Sequence, residues 1–420
     1  MRIFTAIRHS KDSTQYHRNL WSRNFYPALR ELRHQIVESQ VDLLPTSRFM
    51  EIADQFTPEE IEARRRTTEL IVQEVRAAHR QVPIQLFLSY FYNSHFDPDG
   101  FDELRRLGVP SINFYCNSIY QFDLVRAVAA KADFSWHAEK SARQAYLDVG
   151  ARPVWVQMAA DPSIYRPIDG LTRLAKACFV GQRYADRDRW MAALIQGGVA
   201  VDIFGHGWGP FSESSEGAGS VVGPAAPASS EEDGYLGRRR FRPGSAASYA
   251  TYFRDVVGRD GFYAGLARGA EQWRYRRTSK RLTPLLRAQA RGPVTFDEQV
   301  RIYSAYEVSL SFSNVWGDGY PGSPLIPHIR LRDFEAPMCR ACYLTGHSDE
   351  IGEFYEIGRE IDTYRSEEEL VDKARFYLHD AEAAERLRAG GFRRARRDHT
   401  WVERFRQLFA KVGLPVEGSG

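Results

Sequence analysis

The chain has 420 residues, of which 43% are hydrophobic, 13% aromatic and 26% charged, which is ample for two or three packed domains and excludes wholesale disorder. Its 57 basic and 54 acidic side chains leave a formal net charge of +3, which excludes the large basic surplus of a general nucleic-acid binder. Four cysteines are too few for a disulfide framework and suit a reducing compartment.

In chain order, residues 2–7 read as an opening strand. A helix follows, with Leu20, Phe25, Leu29 and Leu32 on one face. A charged helix covers 57–80, with Pro58 in its first turn, where a missing N–H costs little. Residues 84–88, 111–115, 133–136 and 154–157 read as strands, separated by helices over 101–107, 122–130 and 140–147. Strands alternating with helices predict a parallel sheet of the α/β class. Residues 159–167 are polar, carry Pro162 and Pro167, and read as a linker.

A second α/β series starts with a strand over 177–181, a helix over 187–195 and a strand over 199–205. Residues 211–291 interrupt it: 211–233 are rich in Ser, Gly, Ala and Pro, and 249–291 look helical with a basic end. The series resumes with a helix over 296–305, N-capped by Thr295. A strand over 308–312, a helix over 332–339 and a strand over 341–345 follow. Helices over 367–378, 381–397 and 400–412 end the chain.

The most informative run is Arg330-Leu331-Arg332-Asp333-Phe334-Glu335-Ala336-Pro337-Met338-Cys339, a helix start before a buried strand. The free N–H groups of a helix start suit a diphosphate. Arg332 can pair bidentately with phosphate oxygens, and Glu335 can accept from ribose hydroxyls. The plainer alternative is a solvated i,i+3 ion pair. Gly181, Arg183 and Arg187 follow the first strand of the second series, where open α/β sheets bind ligands. Both arginines are candidate diphosphate contacts, against an ordinary helix-surface charge for Arg187. The loop 318–324 carries Gly319 and Gly322, whose backbone could approach a phosphate or form a plain turn. Cys339 and Cys342 form a lone C-x-x-C with no second ligand pair, so they read as buried small side chains and no metal site is expected.

In the first half, His9, His95 with Asp97, Asn117, and His137 with Glu139 follow successive strands. His95 and Asp97 make the best acid–base pair, against a packed or solvated imidazole. The basic segment 268–291 could meet an anionic membrane surface or an acidic acceptor, or be a solvated face.

The run from Arg332 to Cys339 resembles the R-x-F-E-A-x-A-C-G motif of the bacterial CgeB-type (spore maturation protein) glycosyltransferases, departing at Met338 and Arg340. Phe354, Glu360-Ile361 and Tyr364 match a second family piece. His399-Thr400-Trp401 with Arg404, Phe179-Val180-Gly181 with Arg187, and Phe204-Gly205-His206-Gly207-Trp208 match others. Together they span most of 175–210 and 292–410. The resemblance implies two facing Rossmann-like domains of the GT-B type, with the last helix crossing back to the first. The acceptor domain would cover 1–165. The donor domain would cover 166–398, with its insertion at 211–291, and the crossover helix and tail would cover 399–420. It also implies sugar transfer from a nucleoside diphosphate sugar to a glycan, protein or small-molecule acceptor, with no metal or other cofactor. Arg332, Arg183 and the glycine loops would stabilise the leaving diphosphate, and Glu335 would hold the ribose. Two departures stand out. Pro327 replaces the family's earlier glutamate, and Asn117 stands where relatives carry Asp or His. They keep two other readings open, a nucleotide-sugar epimerase and a non-catalytic binding or assembly protein. Polar residues arrive by His9, too early for a signal peptide, and no run approaches the roughly 18 apolar residues of a membrane span. A cytoplasmic protein, with room for peripheral membrane contact, is expected.

Overall fold

The two runs of short apolar strands expected from the sequence fold into two separate six-stranded sheets. The computed structural model describes residues 1–10, 19–47, 56–209, 246–318 and 321–417. Among these, one unit holds 1–158, 246–255 and 401–417, and the other 159–209 and 256–400.

The first unit contains β1 (Arg2–Ala6), β2 (Gln35–Glu38), β3 (Leu86–Ser89), β4 (Ser111–Tyr115), β5 (Phe134–His137) and β6 (Pro153–Trp155). Their order is β2-β1-β3-β4-β5-β6, and every pairing is parallel. The winding direction therefore reverses between β1 and β3. Strands β3 and β4 are buried along their whole length, as a sheet covered on both faces requires. The helix Leu20–Glu31 lays Phe25 onto the sheet. Its ring centroid lies 5.4 Å from that of Phe114 and 5.3 Å from Trp136. The last helix, Trp401–Val412, completes this cluster, with Trp401 and Phe405 at 4.7 and 5.2 Å from Phe25. The C-terminal helix thus crosses back, as expected. The helix Pro58–Gln81 starts at a capping box in which Thr57 and Glu60 satisfy each other's backbone N–H. Strand β2 is an unexpected element. It is a half-exposed edge with polar ends, so no apolar run announces it.

The second unit contains β7 (Leu174–Val180), β8 (Val201–Phe204), β9 (Ala290–Gly292), β10 (Tyr306–Ser311), β13 (Tyr343–Gly346) and β14 (Asp362–Tyr364), with a small hairpin of β11 (Asn314–Trp316) and β12 (Leu325–Pro327). The sheet order is β14-β13-β10-β7-β8-β9, again all parallel. In this unit's own chain order that is the doubly wound 3-2-1-4-5-6 pattern, whose switch point falls between β7 and β10.

Two expectations change here. Residues 211–291 do not simply interrupt the sheet. Their end is strand β9, and the helix Phe262–Arg287 is part of the crossover from β8 to β9. That helix buries Leu282 and Leu286 in a core with Phe179, Met191, Trp208 and Leu310. The stretch 211–233 lies outside the described residues. Residues 159–167, read as a linker, are anchored: Ala159, Ala160 and Tyr165 are buried, and Ala160 bridges to Thr400.

The helix Arg332–Met338 ends with Arg340 in the left-handed region, φ 60°. This is the position at which the resembling motif has glycine. An L side chain there costs about 1–2 kcal/mol, and the half-exposed Arg340–Glu385 ion pair offsets little of it. Arg340→Gly is expected to raise stability by about 1 kcal/mol in denaturant unfolding, because glycine adopts this conformation freely.

Candidate functional site

At the carboxyl ends of β7 and β10 the chain crowds glycines and arginines together. Gly181 closes β7. Its carbonyl accepts from Trp208 Nε1 at 2.7 Å. Gly205, at φ 131°, packs so closely that an added Cβ would stand 2.2 Å from the Gly181 carbonyl oxygen. Only glycine allows this approach.

Three arginines lie near this turn, with Arg330 and Arg332 close enough for their charges to act on Arg187. Arg187, at the start of the helix Arg187–Gln196, is 6% exposed and lies over the rings of Phe179 and Tyr184 at 5.3 and 5.9 Å. One Nη donates to the Gln182 carbonyl at 2.6 Å, while its buried Nε has no partner among the described residues. Burial, then the positive charges of Arg330 and Arg332, act against its charged form. Arg330 is held by main-chain carbonyls at the end of β10. Its Nε donates to Phe312 at 3.0 Å and its Nη2 to Asn314 at 2.8 Å. Arg332 also keeps a buried Nε without a partner among the described residues. Burial opposes its charge, but Tyr303, Glu335, Tyr343 and Tyr165 together outweigh that and raise its pKa.

The neighbouring carboxylates are held by other donors. Asp333 accepts from the Arg330 backbone N–H (2.6 Å), Tyr343 Oη (2.8 Å) and Thr345 Oγ1 (3.1 Å). Glu335 is 3% exposed, and its two oxygens accept from Tyr165 Oη at 2.7 Å and Gln299 Nε2 at 2.9 Å. Burial raises the pKa of both acids. The solvated Arg–Glu pair considered from the sequence is therefore not what forms. The helix start itself offers less than expected. The helix has seven residues, and the N–H groups of Asp333, Phe334 and Glu335 already bond to the carbonyls of Arg330 and Leu331.

Several sequence candidates have other tasks. Arg183 grips both oxygens of Asp188 at 2.8 and 2.7 Å and also reaches the Ser279 carbonyl and Thr283 Oγ1. It ties the crossover helix to the helix Arg187–Gln196 and is not presented to a phosphate. Gly322, at φ 89°, lies against that same crossover helix, where a Cβ would meet Gln272 N at 2.9 Å. Its small size serves helix packing. Gly319 falls outside the described residues. Cys339 and Cys342 are buried free thiols, and burial pushes Cys342 up to about 12.

His95 and Asp97, expected as an acid–base pair, are engaged separately. His95 is fully buried; Tyr92 N–H donates to its Nδ1 at 3.0 Å, and its Nε2 lies 2.9 Å from Ser47 Oγ. Asp97 pairs with Arg64 at 2.8 Å and accepts from the Asp99 N–H. His95 does reach the β1–β3 switch point, where its ring centroid is 4.2 Å from that of His9. Sequence reasoning missed Arg330, Tyr165 and Gln299. Arg330 opens the informative run but was given no role, and nothing in the sequence brings Tyr165 or Gln299 to Glu335.

Residues 253–410 match a family model described as glycosyl transferase-like. No curated protein matches the sequence. Solved structures match in fold. The Anabaena protein HepE in complex with UDP has 11% identity and a TM-score of 0.52, covering 98% of this chain and 100% of that one. HepE with UDP-glucose has 10% identity and a TM-score of 0.51, with 98% of each chain covered. A sucrose-phosphate synthase from Thermosynechococcus elongatus has 11% identity and a TM-score of 0.51, also with 98% of each chain covered. The chain has the GT-B fold. The family match includes Arg330, Arg332 and Glu335, while Arg187 lies before it.

Two outcomes are expected. Tyr165→Phe removes a donor from a buried carboxylate and should cost about 1–3 kcal/mol in denaturant unfolding. His137 at the end of β5 is buried and bonds through Nδ1 to the Glu139 carbonyl at 2.9 Å. Burial lowers its pKa from 6.5 to about 4. A lowered folded pKa means that the neutral form is favoured in the native state. Its stability contribution is complete above the unfolded value and is lost as pH falls from 6.5 to about 4. The thermal midpoint should drop through that window, and less steeply in His137→Gln.

Proposed function

We propose that this chain is a nucleotide-sugar-dependent glycosyltransferase, with the donor diphosphate held by Arg187, Arg330 and Arg332 at the end of β7 and β10. One observation carries this reading: the charges of Arg330 and Arg332 act on the buried Arg187, and Arg187 and Arg332 each keep a buried Nε without a partner among the described residues. Gathering like charges away from water costs free energy, and an anion that accepts from them relieves the cost. A leaving diphosphate gains negative charge as the glycosidic bond breaks. Preorganised guanidinium groups stabilise that charge without reorganising. We assign this task to the arginines rather than to a metal ion, so turnover should survive chelator. Glu335, already holding Tyr165 and Gln299, retains acceptor capacity for a ribose hydroxyl. The fold of HepE, solved with UDP and UDP-glucose, makes UDP the first donor base to test.

The motif residues Arg332, Phe334, Glu335, Ala336 and Cys339 support a place among the CgeB-type enzymes. The acceptor falls to the first unit, and no catalytic base is assigned. We place the reaction in the cytoplasm. The four cysteines are free thiols, and among the described residues no helix is long and apolar enough to cross a membrane.

The test is a thermal-shift panel of UDP, GDP, TDP and ADP. A ligand at roughly 100 times its dissociation constant stabilises the native state by about 2.7 kcal/mol. One nucleotide should stabilise the wild type, and its effect should be lost in Arg187→Gln and Arg332→Gln. Both variants should fold, because each removes a cation from a crowded site. No shift with any nucleotide would overturn the assignment.

A further inference from the structure

The crossover helix Phe262–Arg287 has a second face with no core role. Its buried side uses Gly265, Gln272, Leu282 and Leu286. The opposite side carries Phe262, Tyr263, Leu266 and Trp273, which are 57, 86, 49 and 59% exposed. Positions 262, 266 and 273 follow helical spacing and share one stripe. Tyr263, Trp273 and Phe262 are the three most exposed large apolar side chains among the described residues. Single exposed apolar side chains are ordinary; four within twelve positions of one helix are not.

The charge on this helix is equally uneven. Between Phe262 and Arg287 lie seven cations (Arg268, Arg274, Arg276, Arg277, Lys280, Arg281 and Arg287) and one carboxylate, Glu271. The difference is +6 in a chain whose net charge is +3. Glu271 is taken by Arg274. Arg277 lies 5.2 Å over the Trp273 ring, which joins the aromatic end of the stripe to the basic end. Exposed aromatics beside clustered Arg and Lys are what a helix lying in a bilayer interface presents. The rings enter the headgroup boundary and the cations meet anionic lipid.

We infer that the exposed face of Phe262–Arg287 docks the protein onto an anionic membrane surface. Charge complementarity selects this occupant. A second copy would set the exposed cations Arg274, Arg276, Arg277, Lys280 and Arg281 against the same five, whereas an anionic leaflet supplies the missing negative charge. The rings at 262, 263 and 273 and the side chain of Leu266 reach the acyl boundary, and the segment from Arg274 to Arg281 lies along the headgroups.

Sedimentation of the full chain with vesicles tests this, using phosphatidylcholine alone and with about one third phosphatidylglycerol. Binding to the anionic vesicles only is expected, weakening as salt shortens the Debye length below about 10 Å. Leu266→Ala with Trp273→Ala should lower the partition coefficient by about tenfold or more. Arg277→Glu with Lys280→Glu should do the same, and Phe376→Ala, an exposed ring elsewhere, should change nothing. All these side chains are exposed, so unchanged thermal midpoints are expected. No binding to anionic vesicles, or binding that survives both double variants, would overturn the inference. So would a lipid-free dimer, seen by analytical ultracentrifugation, that the Leu266 and Trp273 changes abolish; that would assign the face to a second copy.

Discussion

Concentrated positive charge at the end of β7 and β10 is the constraint around which the second unit is built. Arg187, Arg330 and Arg332 repel one another in surroundings that screen poorly. Nearby carboxylates could have quenched that field, yet each is already occupied. Asp333 holds Tyr343 and Thr345, Glu335 holds Tyr165 and Gln299, Asp188 holds Arg183, and Asp186 holds Trp190 and Asn314. Neutral hydrogen-bond donors satisfy most of these acids, so their charge acts on the arginines through space while the Nε of Arg187 and of Arg332 stays open among the described residues. Stacking of Arg187 on Phe179 and Tyr184, and anchoring of Arg330 to main-chain carbonyls, fix where the charge sits.

Both sheets follow the same topological logic with different chemistry. Where winding reverses, the helices on either side diverge and leave the strand ends open to a ligand. In the second unit that place is lined by guanidinium groups. In the first, the β1–β3 point is filled by His9, Tyr90, Tyr92 and His95, all buried. The His9 ring stacks on Tyr90 at 5.0 Å, and its Nε2 bonds to the Tyr90 carbonyl at 2.6 Å. Histidines at a strand end are therefore not in themselves a proton-transfer site; here their rings are part of the packing.

The crossover helix shows how one element can serve two surroundings. Its buried positions follow the spacing that the core needs, and Arg183 clasps it through Ser279 and Thr283. Its other face is exposed among the described residues, and there aromatic and basic side chains accumulate. The sequence pattern of the whole segment blurs these two stripes, which is why it reads as an insertion.

Periodicity and turn chemistry alone determined the two α/β series, most strand and helix positions and the cap at Thr295, while the C-terminal crossover was implied by the family resemblance. Each depends on residues close together in the chain. The motif around Arg332 and Glu335 was also legible, because its residues lie within one turn. Short strands with little apolar content, such as β2 and β9, were not, because only pairing with a neighbour makes them strands. The partners of the motif lay equally out of reach. Tyr165 comes from a segment that looks like a linker, Gln299 from another helix, and Arg187 from far earlier in the chain. Tertiary structure alone decided which arginine grips an acid and which keeps an open donor, because that depends on what the fold brings within about 3 Å of each guanidinium.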